Sequence, residues 1–296
     1  MYKISIRCQV RLYLVVMLCL PIELIAQEAT QRYHIGVCDW MMLKRQKLGA
    51  FPLAREVGAD GIEMDMGPLG QRELFDNQLR DSLQCAKFLE ASKDNSIMVP
   101  SVAMSGFFAQ NLLARDNYMA LAVDCFNTMK LFGSRVAFLP LGGSGNEWIE
   151  PGADHDKMVT RLREIGNQAH QNGLTVGIRT GQDARYDKRL LKEIGSKGIR
   201  IYFNLQDAVD NHRNPCEEIR ILGRKRICQI HASLTDSVTL NVDPRIDLPR
   251  LRRTLDKMHW SGWLVVERSR DASRVRDVKY NFSTNVGYLK EVFEGD

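Results

Sequence analysis

Apolar residues arrive along this chain in short runs separated by amphipathic stretches, and the alternation returns about every thirty residues. Strand-like runs fall at Tyr33 to Cys38, Gly61 to Asp65, Ile97 to Val99, Val136 to Leu139, Leu174 to Ile178, Ile199 to Phe203, Ile227 to Ile230 and Trp263 to Val266. Between them, Phe51 to Val57, Leu74 to Ala91, YMALAVDCFNTMKLF and DKMVTRLREIGNQAHQNG carry apolar residues at steps of three and four, the period of a helix with one buried face. A last amphipathic stretch covers Val286 to Phe293. Strand and helix units in this number predict an α/β fold, a (β/α)8 TIM barrel in one domain. An open doubly wound sheet is disfavoured because no GxGxxG follows an early strand.

Four of the later runs end alike. VGIR, IYFN, CQIH and LVVE are apolar and then close on Arg179, Asn204, His231 and Glu267. Parallel barrel strands deliver their last residues into one mouth, so these four side chains are the expected site, joined by Glu63 at the close of the second run. The cluster LGGSGNEW, Leu141 to Trp148, follows the fourth run and lacks the Lys-Ser/Thr of a phosphate loop. It reads as a loop at the mouth that needs flexible backbone. Trp148 there is either an apolar platform for a sugar ring or a side chain packing its own loop.

Lys3, Arg7 and Arg11 precede LYLVVMLCLPIELIA, which ends at Ala26. A charged start, an apolar run and a small residue predict a secretory signal peptide over residues 1–26, and Pro21, Glu23 and the shortness of the run weigh against a permanent membrane span. Residues 27–296 then form the barrel, secreted or periplasmic and not stably inserted in a membrane after cleavage. Removing residues 1–26 lowers the formal charge from +5 to +3, too mild for a nucleic-acid partner, and the basic residues are scattered among acidic ones. Of the seven cysteines, Cys38, Cys85, Cys125, Cys216 and Cys228 lie after residue 26, with no CxxC and no zinc-like grouping. Oligomeric state is not legible in the sequence.

The opening IGVCDW, then DGIEMD, LTVGI, IYF followed by Asp207, QIHAS and GWLVVE, taken in order, resemble the xylose-isomerase-like barrel family of sugar epimerases, sugar-phosphate isomerases and related endonuclease barrels. The resemblance runs from His34 to Leu289 and implies a small-molecule carbohydrate as ligand. It also implies a divalent metal, such as Mn2+ or Mg2+, held by Glu, Asp, His and Glu at the ends of strands five to eight. His231 and Glu267 match the last two. Arg179 and Asn204 stand where the family has its Glu and Asp.

That exchange removes two negative charges and adds a positive one, and a guanidinium has no lone pair for a metal. The expectation is therefore a pocket without cofactor or metal, in which Arg179 takes the cation's place and pairs with Glu267, while Asn204 and His231 complete a hydrogen-bonded group. A Glu so paired is a poor general base, which leaves His231. Each residue also has a plainer reading: Arg179 and Glu267 as a buried strand-end pair, His231 as a satisfied core imidazole, and Glu63 as the partner of a neighbouring Arg. Asp207 is expected to reach substrate hydroxyls. Two functions remain open, an isomerase or epimerase that moves a proton next to a carbonyl and a non-catalytic carbohydrate-binding protein. Relatives that cleave DNA use several metals held by many His and carboxylates, a set this chain lacks.

Overall fold

The computed structural model describes residues 31–142 and 145–295; the signal-peptide stretch lies outside the described residues. Eight parallel strands close in chain order: β1 (Tyr33–Cys38), β2 (Gly61–Asp65), β3 (Ser101–Ala103), β4 (Val136–Pro140), β5 (Thr175–Arg179), β6 (Ile199–Asn204), β7 (Ile227–His231) and β8 (Gly262–Val266). Closure comes from β1 pairing on both edges, Gly36 with Gly61 on one side and Tyr33 with Gly262 on the other. The helices α1 (Ala50–Glu56), α2 (Ser82–Asp94), α3 (Tyr118–Phe132), α4 (Ala153–Gln171), α5 (Ala184–Ile194), α6 (Leu205–Asp210), α7 (Pro215–Leu222), α8 (Leu248–Lys257) and α9 (Val278–Glu294) connect the strands and follow the last one. The barrel thus forms a single domain of the expected class.

Helix starts are written in local chemistry. Asp81, Asp183, Asn204, Asn214, Asp247 and Asp277 each accept a backbone N–H from the first turn of the helix they precede, and Pro215 stands at the first position of α7 where its missing N–H costs nothing. One apolar cluster lies between strands and helices, where both faces are apolar. A second fills the barrel itself and includes Cys38, Trp40, Ala103, Phe138, Tyr202 and Val265. Gly177 matters to this inner layer: a Cβ there would stand 2.6 Å from Cys228 Sγ and 3.0 Å from Tyr202 Cβ, so its bare backbone makes room for the tyrosine inside the barrel.

Two sequence expectations shift. The third strand is Ser101–Ala103, and of the expected run only Met98 bridges, to Gly61; Pro100, which has no N–H, separates the bridge from the ladder. The helix expected from Leu74 begins at Ser82, after a short turn of helix at Gln78–Arg80. All five described cysteines are free.

Candidate functional site

His231 ends β7 and points inward, fully buried, with Phe138 edge-on at 4.7 Å, Tyr202 tilted at 4.3 Å and Trp40 at 6.5 Å between ring centres. Its Nε2 is 2.9 Å from Oε1 of Glu63, also fully buried. The other oxygen of Glu63 accepts hydrogen bonds from Ser101 Oγ at 2.6 Å and Tyr202 Oη at 2.8 Å, and Ser101 Oγ in turn accepts one from Gln229 Nε2 at 2.9 Å. Both hydroxyls thus spend their hydrogens on Oε2, so Oε1 is left to accept from the imidazole. That assigns the Nε2 hydrogen to the Glu63 side and leaves Nδ1 bare whenever the ring is neutral. Burial, and then the Glu63 charge, push the Tyr202 phenol well above its ordinary pKa, so it stays a donor.

Nδ1 faces the other way. It has no hydrogen-bond partner among the described residues and lies 3.7 Å from Oε2 of Glu267, which is likewise buried and unpartnered. Asn204 supplies a third such atom: its Oδ1 accepts from the Gln206 N–H to start α6, and its Nδ2 is buried without a partner. The pairing register sets Asn204 beside His231, and His231 beside Val265. Three unsatisfied buried polar atoms on the ends of β6, β7 and β8, or just beyond them, are costly in a folded protein unless something meets them.

Arg179, at the end of β5, makes a forked pair with Asp207, Nε to Oδ2 at 2.8 Å and Nη2 to Oδ1 at 2.7 Å. Its Nη1 is 3.7 Å from Glu267 Oε2, and the guanidinium lies 5.6 Å from the Phe108 ring centre. Burial works against the Arg179 charge, but the Asp207 hydrogen bonds and the Asp207 and Glu267 charges outweigh it and hold its pKa above the usual value. The expected pairing with Glu267 is present at 3.7 Å, but the shorter, forked contact belongs to Asp207, because the Asn204 cap starts α6 immediately after β6 and brings Asp207 into its first turn. Asp207, expected at substrate hydroxyls, has both oxygens engaged by that fork.

Trp148 is 1 % exposed and stacks edge-on against Tyr186 of α5, so its indole is buried against that helix and offers no open face. Ser101, Tyr202 and Gln229, which hold Glu63, were not singled out in the sequence. Their signal is parity: Tyr202 and Gln229 stand two residues before Asn204 and His231 and so share their inward face. A further acid pair adjoins the first two strands, where Asp39 accepts from the N–H groups of Gln46 and Asp65. Burial, then the Asp65 charge, raise Asp39 well above the carboxylate range, and burial lifts Asp65 to about 6.

The family profile of the xylose isomerase-like TIM barrel matches residues 51–291. The chain belongs to the xylose-isomerase-like TIM-barrel family. No curated protein matches it in sequence. Among solved structures it is similar to an L-ribulose 3-epimerase (14% identity, TM-score 0.69, covering 88% of this chain and 95% of the other). It is also similar to the D-psicose 3-epimerase of Clostridium cellulolyticum H10 with D-tagatose (12%, 0.68, 88% and 99%). A third is the 3-keto-D-glucoside 4-epimerase of E. coli (15%, 0.67, 87% and 99%). At these identities the likeness is one of fold.

This xylose-isomerase-like barrel does not fit the family's metal. Arg179 is a cation and Asn204 has committed its oxygen to a helix start, so two of the four expected donors are missing. Among the described residues no group of three or more His, Cys, Asp and Glu side chains is placed to hold an ion, so the metal site is degenerate. Nor does any described helix have the length and apolarity to cross a membrane.

Proposed function

We propose that the protein acts on a carbohydrate or keto-sugar by moving a proton at the carbon next to a carbonyl, the chemistry of isomerases and epimerases, without the divalent metal of its family. The observation that carries this reading is the Glu63–His231 pair, which leaves Nδ1 as an unpartnered base 3.7 Å from Glu267. In the proposed step Nδ1 takes the proton, the C–H electrons form an enediolate, and its oxygen is met by Asn204 Nδ2 and Arg179 Nη1, the donors that the helix cap and the Asp207 fork leave over. The imidazolium, flanked by Glu63 and Glu267, then returns the proton to the neighbouring carbon while the hydroxyl proton passes through Glu267 to the enediolate oxygen, which completes an isomerisation; an epimerisation requires a second acid on the opposite face of the enediolate. Glu267 accepts a substrate hydroxyl. The export signal read at residues 1–26 supports a secreted or periplasmic setting in which polysaccharide-derived sugars are the ligands.

A second reading, a carbohydrate-binding protein without turnover, is favoured by the closure of this end. His231 has no exposed surface, and the cavity of about 20 Å³ against Arg179, Asn204 and Asp207, room for one water, is lined by neither His231 nor Glu267.

The experiment incubates the full chain with D-psicose, D-tagatose and D-fructose in heavy water and follows hydrogen-to-deuterium exchange at carbon by NMR. Exchange in the wild type that disappears in His231→Ala is the expected result. Exchange that survives unchanged removes His231 from the mechanism, and thermal protection by a sugar with no exchange selects the binding reading.

A further inference from the structure

At the opposite end of the barrel, where strands begin, a cavity of about 770 Å³ opens between β5, β6 and the turn before β7. Lys188 and Lys192 on α5, Lys197 in the turn after it, Arg200 at the start of β6, and Lys225 and Arg226 before β7 line it, all exposed. No carboxylate lines the cavity, and none of these six side chains is in an ion pair among the described residues. The whole chain has a formal net charge of only +5, so six uncompensated cations around one concavity are a concentration of charge and not a general feature of the surface.

We infer that this cleft is a binding site for a ligand carrying two or more phosphate or sulfate groups. The cations come from two stretches of chain, residues 188–200 and 225–226, and surround a hollow lined by Leu174 and Ile199, which suits a compact multivalent anion that enters, better than a flat charged surface. No Phe, Tyr or Trp lines it, and the imidazole of His170 is the one ring among its lining residues, so a single-stranded nucleic acid would find no run of rings to stack on. In the sequence they fall into two groups, residues 188–200 and 225–226, that no local pattern joins. They meet because a helix end, a strand start and a turn all face the same end of the barrel. The inference is independent of any activity at the mouth.

The test titrates the full chain with sodium tripolyphosphate and, separately, a sulfated tetrasaccharide by calorimetry at fixed ionic strength, comparing wild type with Lys192→Glu/Lys225→Glu. Both lysines are exposed and unpaired, so an unchanged thermal midpoint without ligand verifies folding. Saturable binding that weakens at least about tenfold in the variant is expected, since two reversals remove most of the attraction; the tighter of the two ligands identifies the source of the anion. Equal binding by both proteins, or heats that matched sodium chloride reproduces, overturns the inference. So does binding to phosphatidylglycerol vesicles or oligothymidylate with none to either small anion.

Discussion

Replacing Glu63 by glutamine tests the arrangement around His231 without changing the size of the side chain. Glu63 accepts three hydrogen bonds, from His231 Nε2, Ser101 Oγ and Tyr202 Oη. In Glu63→Gln the amide keeps one oxygen, and two hydroxyls compete for it with one imidazole. Ser101 cannot readily turn its hydrogen elsewhere, because its oxygen already receives Gln229 Nε2. The amide oxygen therefore stays with the hydroxyls and the new NH2 faces Nε2, which must become an acceptor. The imidazole hydrogen moves to Nδ1, and the bare nitrogen at the mouth is lost. All three bonds lose their charge assistance, at roughly 1 kcal/mol each, so stability falls by about 3 kcal/mol, read from urea unfolding. The tautomer is read from long-range 15N–1H correlations of the histidine. Proton exchange into a sugar substrate falls on the order of 10³ to 10⁴, the scale of a wrong-tautomer histidine. A variant whose hydrogen remains on Nε2 and whose stability is unchanged would refute the hydrogen assignment and, with it, Nδ1 as the base.

Two further predictions concern charge. Burial raises Asp187 to about 8, with Thr180 pulling the pKa down and Glu218 pushing it up, so the folded state holds a proton that the unfolded state releases near 3.8; its stabilising contribution is complete below that value and is lost as pH rises through 8. Unfolding free energy should therefore fall from pH 5 to 9 more steeply in wild type than in Asp187→Asn, by up to about 1.4 kcal/mol per pH unit, and a wild type no steeper than the variant would contradict the protonated Asp187. For the metal, cobalt(II) should leave the thermal midpoint of the wild type unchanged and raise that of Arg179→Glu/Asn204→Asp by roughly 5–10 °C, the shift expected for a site at a hundred times its Kd. A comparable rise in the wild type would show that the donor-set argument fails.

The barrel was legible because its strands are buried on both faces and their ends change abruptly from apolar to polar, as at Ile230 to His231 and Val266 to Glu267. Ile97 to Val99 misled because it is as apolar as a strand, while Pro100 moves the ladder on to Ser101. The loss of the metal's donors was also readable, since residue type alone decides what Arg179 can donate. What the sequence withheld were pairings between units. Glu63 meets His231 and Tyr202 across the barrel interior, and Arg179 takes Asp207 because of where α6 begins; no local pattern encodes either distance. The basic cleft was hidden for the same reason.

Asn204 holds two positions at once, with its oxygen anchoring a helix and its nitrogen turned to the mouth. Aspartate would anchor that helix equally well. Exchanging the two therefore swaps a donor for an anion at the reacting end while the helix start stays where it is, so one residue type decides whether this pocket presents a donor or moves toward a cation's requirements, at the cost of burying a charge that only a cation would offset.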